Sequence, residues 1–199
     1  MEKRAKDYRS RNAIKRALIA LLQTAPYQSV TTRQIIDLSS YSKGTFYAHF
    51  FDKDDLVRQI IQDEVDTYMS CTTQYLAEVQ NTRLVSDLVE QIQSGLEKFF
   101  QHVYDNQDLY KIIADRKFPG TTLHTLANML YDATKSVFYV TEDPGSLAEQ
   151  DLRIYIHTHT HVQVIEYWVK HNFEQSPKFI VTQMQQIMNV NTQLWIRAK

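Results

Sequence analysis

The apolar residues of this chain recur at helical spacing from one end to the other. Ile14, Ala17, Leu18, Leu21 and Leu22 fall at i, i+3, i+4, i+7 and i+8, which predicts a first helix over residues 10–24. Thr31 and Gln34 stand at capping-box spacing, so a second helix starts at Thr31 or Thr32, carries Ile35, Ile36 and Leu38 toward a small core and stops near Ser40. Ser42 caps a third, short helix whose Phe46 and Phe50 are four apart on the buried face, and Asp52 caps a long helix reaching about residue 81 with Leu56, Ile60, Val65 and Met69 inward. A helix from residue 86 buries Leu88, Ile92, Leu96, Phe99 and Val103. A short one over 108–118 ends at Pro119-Gly120, and another spans 121–140. Asp143-Pro144-Gly145 reads as a turn, Ser146 and Glu149 as a capping box opening a helix to about residue 172, and Ser176-Pro177 as the cap and first residue of the last helix. The pattern predicts an all-α chain of about nine helices with no strand.

Within that pattern, residues 31–56 form two short helices running directly into a third, the layout of a helix-turn-helix. Lys43, Thr45, Tyr47 and His49 face outward once Phe46 and Phe50 are buried. Small polar groups and a lysine at the exposed start of a helix suit contact with phosphate and base edges. Lys53 gains nothing from the dipole of the helix it opens, and makes more sense facing phosphate. Charge is divided accordingly. The net of -1 hides a first third, residues 1–53, with ten Lys and Arg against four acids (+6), and a remainder at -7. Only the first third attracts a polyanion.

Thr31, Arg33 and Ile35, then Ser42, Lys43, Gly44, Thr45, Phe46 and Tyr47, then His49 and Phe50, then Lys53 and Leu56, match almost letter for letter the pattern T-x-R-x-I, S-K-G-T-[FL]-Y-x-H-F, x-K-x-x-L. By these residues the segment from about 10 to 58 resembles the DNA-binding domain of tetracycline-repressor (TetR) type regulators. The resemblance implies DNA contacts from Thr31, Arg33, Ser42, Lys43, Gly44, Thr45, Tyr47, His49 and Lys53. It also implies an all-helical C-terminal domain that dimerises through its last long helices. Two positions depart from the family pattern. Ser40 stands where the turn usually carries glycine, so a left-handed backbone there costs on the order of 1 kcal/mol. Ala48 replaces a frequent basic residue and removes one phosphate contact. The IEYW…SP stretch, residues 165–168 and then Ser176-Pro177, also resembles the C-terminal domain of the dihydroxyacetone-kinase regulator subgroup.

The expected organisation is therefore a helix-turn-helix domain over 1–53 and a ligand-binding and dimerisation domain over 54–199. The expected function is that of a sequence-specific transcription regulator on a palindromic double-stranded operator: a homodimeric repressor released by a small-molecule effector. The alternative is a DNA-bound coactivator whose C-terminal domain recruits a protein. The expected interface comprises Ile165 and Trp168 with Ile180, Met184, Ile187 and Leu194, an apolar stripe longer than one subunit needs. Candidate effector contacts are isolated polar residues on apolar helices: His102, Tyr110, His124, Tyr139 and Arg153.

Other chemistries find little support. In the HTHTH run His157 and His161 share a helix face while His159 points nearly opposite, so the three read as core or interface histidines, and neither metal nor cofactor is expected. No Gly-x-Ser-x-Gly elbow or HExxH occurs, and an enzyme is not expected. Four Gly and four Pro in 199 residues leave no Gly-rich phosphate loop and no low-complexity linker. The charged start and the short apolar run at 17–22 predict a soluble cytoplasmic protein without a membrane span, and the lone Cys71 allows no internal disulfide.

Overall fold

The structure, a computed structural model, describes residues 2–73, 85–138 and 144–192. Among these are nine α-helices and one short 3-10 turn, Tyr27–Ser29, and no strand. In chain order they are α1 (Glu2–Thr24), α2 (Thr32–Ser39), α3 (Lys43–His49), α4 (Lys53–Thr73), α5 (Val85–Asp105), α6 (Gln107–Ala114), α7 (Leu123–Phe138), α8 (Pro144–Lys170) and α9 (Pro177–Thr192). The chain divides into two compact units: Met1–Glu64 with Asp108–Thr122, and Val65–Gln107 with Leu123–Lys199. The first unit thus extends past residue 53, along α4 to Glu64, and takes in α6.

In the first unit Ile14, Leu18 and Leu22 of α1 are fully buried, as their spacing requires. The helix starts at Glu2 rather than Ser10, because residues 2–9 contain no glycine or proline to stop it. α1 packs on α2 and α3, closing a small core with Tyr27, Val30, Ile35, Phe46 and Phe50. Leu38, expected inside, is 52% exposed. On an eight-residue helix only one narrow stripe can face the core, and Ile35 and Ser39 occupy it.

The lower part of this unit is polar and closely paired. Arg11 donates to both oxygens of Asp63, at 2.9 and 3.0 Å, and to Gln59. Lys15, nearly buried, makes an ion pair with the same Asp63. Burial, with Arg11 adding to it, lowers the Lys15 pKa to about 8. Tyr110 of α6 is fully buried and donates to Glu64 Oε2 at 2.7 Å, while Lys117 donates to the Leu22 carbonyl at the end of α1 at 3.0 Å. Residues 108–122 belong to the first unit through these bonds.

In the second unit α7 packs along α8 and α9 along α5. The core holds Tyr68, Phe99, Phe100, Leu126, Leu130, Val162, Ile165, Trp168 and Met184. Gly95 lets α5 approach α4 closely, since a Cβ there would lie 2.2 Å from the Cys71 carbonyl oxygen. α8 begins at Pro144, so Pro144 and Gly145 form its first turn instead of a separate one, and Ser146 lies inside the helix rather than capping it. Ser176 does cap α9, accepting from Phe179 N at 3.2 Å. Of the HTHTH run, His161 is fully buried beside His157, and its Nδ1 lies 3.0 Å from Tyr68 Oη. His159 faces α7. No described helix is long and apolar enough to cross a membrane.

Candidate nucleic-acid interface

The α2–α3 segment is built from local bonds. Thr31 Oγ1 accepts from Gln34 N at 3.2 Å while Gln34 Oε1 accepts from Thr31 N at 2.7 Å, a complete capping box. α2 ends with Ser40 left-handed at φ 60°, ψ 24°, the conformation in which glycine would be unstrained. Ser42 Oγ then accepts from Thr45 N at 3.1 Å and opens α3. Phe46 and Phe50, their ring centres 5.7 Å apart, pin α3 to the core from below.

That anchoring leaves Ser42, Lys43, Gly44, Tyr47 and Ala48 exposed in one stretch, with Thr45 half-buried beside them. Tyr47 is 52% exposed, and the Lys43 ammonium stands 5.9 Å from its ring centre. A Cβ on Gly44 would meet nothing closer than Ser42 Oγ at 3.7 Å. Helix packing therefore does not require this glycine, whereas close approach of a backbone from outside would. At the start of α2, Thr31 and Arg33 are exposed, and the ion pair of Arg33 with Asp37 at 3.8 Å is a solvated contact of little strength.

Two expected contact residues are turned elsewhere. The His49 side chain is only 7% exposed, with Nε2 2.7 Å from Ser10 Oγ and Nδ1 3.8 Å from Asp7, so its ring ties α3 to α1. Lys53 Nζ donates to the Tyr27 and Val30 carbonyls at 2.7 and 2.6 Å and lies 3.9 Å from the Tyr27 ring centre. Its pKa is lowered, first by burial. Lys53 caps the 3-10 turn that leads into α2, and Tyr27 in turn donates to Asp54. Phe51, 82% exposed directly after buried Phe50, is an outward residue that the motif did not single out.

The residues expected to contact an effector are not gathered at one place. Tyr110 sits in the first unit, bonded to Glu64. His102 is on α5, His124 on α7 and Arg153 on α8, while Tyr139 lies outside the described residues. His102 does line an open depression of about 460 Å³ with Ser94, Glu97, Lys98, Gln101 and Asp105, a polar surface feature rather than an apolar chamber.

The expected interface stripe needs correction. Ile165, Trp168, Ile180 and Met184 are at most 5% exposed within their own chain, and Leu194 lies outside the described residues. Only Ile187 faces solvent, at 76%. Helical spacing marks the buried face of a helix but not whose surface buries it, and here the chain buries it itself. Among the described side chains, the large apolar ones left outward are Leu152, Tyr155, Ile156 and Tyr167 on α8 with Phe179 and Ile187 on α9.

Residues 14–60 match the family model described as bacterial regulatory proteins, tetR family, and residues 90–190 match one described as transcriptional regulator C-terminal region. No curated protein matches the chain significantly. Among solved structures, it is similar to a protein of Syntrophomonas wolfei described as a TetR-family transcriptional regulator (18% identity, TM-score 0.58, covering 96% of this chain and 98% of that one). It is likewise similar to the fatty acid degradation regulator FadR from Bacillus halodurans (15%, 0.57, 96% and 97%). A third is the dihydroxyacetone kinase operon activator DhaS (12%, 0.57, 93% and 97%). At these identities the likeness is one of fold.

Proposed function

The chain belongs to the tetR family of bacterial regulatory proteins, and from that premise we propose that this DNA-binding transcriptional regulator is a homodimeric repressor of a palindromic operator, released by a small molecule bound in its second unit. The observation that carries the DNA part is the exposed run Ser42, Lys43, Gly44 and Tyr47, with half-buried Thr45 among them, held from beneath by Phe46 and Phe50. Lys43 would neutralise a phosphate, Thr45 and Tyr47 would meet base edges, and bare Gly44 would let the DNA backbone come close. Thr31, Ser42 and Arg33 would add phosphate contacts from the edge. His49 and Lys53 serve the reading surface indirectly, by fixing α3 to α1 and the 3-10 turn to α4.

Two copies joined through the outward face of α8 and α9 would present two reading helices to successive major-groove faces, about 34 to 36 Å apart. Helix α4 contributes to both units, changing membership after Glu64, so a ligand in the second unit has a covalent route to the first. Coupling of about 1 to 3 kcal/mol, or 5- to 150-fold in operator affinity, is the ordinary range.

A second reading is an activator that recruits a protein partner through its second unit. The exposed α8 residues Leu152, Tyr155, Ile156 and Tyr167 favour it, as does the similar structure named an operon activator. Selecting binding sites from a random DNA pool with the full chain should return an inverted repeat carrying two chains per duplex. A single half-site bound by one chain would overturn the dimeric reading. Small molecules that stabilise the protein should weaken operator binding; full affinity in their presence would favour the activator.

A further inference from the structure

His159 is the member of the HTHTH run that the buried core does not use. It lies on the side of α8 that meets α7, opposite Asn128, with His124 one turn earlier on α7. Its Nε2 is 3.1 Å from Asn128 Oδ1, and Nδ2 of the same amide is 3.4 Å from His124 Nε2. One carboxamide thus spans imidazole nitrogens from two helices whose ring centres are 6.0 Å apart. On its other edge, His159 Nδ1 lies 2.9 Å from the Tyr155 carbonyl oxygen, which can only accept. In the neutral ring this bond places the proton on Nδ1 and leaves Nε2 a bare lone pair. That lone pair then faces another acceptor, the amide oxygen, and the two repel unless a positive centre lies between them. Turning the amide over relieves His159, but sets its oxygen against His124 Nε2 and requires a proton there. In either orientation two imidazole nitrogens and one amide oxygen converge on one small volume at the surface.

We propose that His124 Nε2, His159 Nε2 and Asn128 Oδ1 form a site for a divalent first-row transition ion such as Zn²⁺, with water completing its shell. Two imidazoles and a carbonyl suit Zn²⁺, Ni²⁺ or Cu²⁺, whereas Ca²⁺ and Mg²⁺ take oxygen ligands throughout. The backbone carbonyl on Nδ1 is the usual outer partner of a metal-binding histidine, and the Tyr155 ring, stacked 3.8 Å from the imidazole, holds its plane. Metal–nitrogen bonds of about 2.0–2.1 Å put neighbouring imidazole centres about 5 Å apart, so closure needs a movement of about 1 Å at rotatable surface side chains. Among the described residues no three His, Cys, Asp or Glu side chains converge, and the third ligand here is an amide. Asp151 is committed to Lys135 and Tyr131, each at 2.6 Å. A bound ion would fasten α7 to α8 within the second unit. This site is independent of the repressor reading.

The test uses the full, untagged chain stripped with EDTA. Co²⁺ titration followed by visible absorption, then competition by Zn²⁺, should give one ion per chain and a raised Tm. His124→Ala and His159→Ala should each weaken binding at least tenfold, and the double variant should lose it. Asn128→Asp, which adds a charge and disturbs no packing, should tighten it. His171→Ala is the internal control, because His171 has the same stack on a tyrosine (Tyr167, 4.0 Å) and the same Nδ1 contact (2.7 Å), and it should leave binding unchanged. Melting in metal-free buffer checks that each variant is folded. Absence of a Co²⁺ band, binding that survives in the folded double variant, or an Asn128→Asp variant no tighter than wild type would overturn the proposal.

Discussion

Both the α2–α3 pair and the α8–α9 pair join their helices through left-handed residues: Ser40 at φ 60° in the first, Asn172 and Phe173 at φ 52° and 57° in the second. The first pair is short, at 8 and 7 residues, and helices of that length do not persist unaided. Side-chain caps at Thr31 and Ser42 start them, and three aliphatic or aromatic anchors hold them down. The second pair, 27 and 16 residues long, rests on area: Trp168, Phe173, Ile180 and Met184 are buried, and Trp168 Nε1 donates across the turn to the Gln175 carbonyl at 3.1 Å. Their outward faces differ in kind. α3 shows lysine, hydroxyls and a glycine, whereas α8 and α9 show Tyr155, Ile156, Tyr167, Phe179 and Ile187. A polar face on a capped, rigid helix fits a polyanion, and an apolar face on a long helix fits another protein surface.

The comparison breaks first at Trp168. Truncating this fully buried ring to alanine should cost about 3–5 kcal/mol in denaturant unfolding, far more than any single change in the α2–α3 pair. A loss below about 1 kcal/mol would mean that the second pair does not rest on packing.

Acid should separate the regions next. Burial holds the His161 pKa well below 6.5, with His157 adding to it, and burial holds His157 at about 4. Above pH 6.5 both states are neutral and stability is complete. Below it the unfolded chain takes up protons that the folded core refuses, so stability falls progressively as the pH drops, with a contribution from each histidine. Thermal melts between pH 7.5 and 5 should show this fall, and His161→Gln, which can still bond Tyr68, should flatten it. An equally steep fall in that variant would assign the effect elsewhere.

Caps should matter less than packing, and most in the first pair, whose short helices depend on them. Thr31→Ala should cost about 1 kcal/mol, and Ser40→Gly should return a similar amount by relieving the left-handed serine. Circular dichroism melts read both. Smallest in stability is the outward face of α9: Phe179→Glu with Ile187→Glu should change folding by no more than about 0.5 kcal/mol, yet yield monomers by sedimentation. A dimer that persists would move the interface off this face. A charge at buried Met184 would unfold the unit and could not make the distinction.

How much the sequence disclosed follows the reach of each contact. Thr31 with Gln34 and Ser42 with Thr45 are three residues apart, so both caps and the motif they frame were legible, down to the left-handed Ser40. His49 finds Ser10, Lys53 finds carbonyls at positions 27 and 30, and Tyr110 finds Glu64. Each looked outward or ligand-directed in the sequence because nothing local occupied it. Periodicity marks the apolar stripes of α8 and α9 but does not say that Ile165, Trp168 and Met184 are buried by their own chain, or that Ile187 faces solvent. The opposed directions of His157 and His159 were legible from helix geometry, whereas the Asn128 and His124 opposite His159 were not.

The most direct test of α3 as the reading surface is operator binding across a salt series, by fluorescence anisotropy, for wild type, Lys43→Ala, Lys53→Ala and Thr45→Ala. Lys43→Ala should weaken all sequences alike and lower the salt slope by about 1. Thr45→Ala should alter sequence preference at an unchanged slope. Lys53→Ala should lower stability and affinity but keep the wild-type slope, as a lysine bonded to two carbonyls requires. If Lys43→Ala kept the wild-type slope and Thr45→Ala the wild-type preference, α3 would not be the surface that reads DNA.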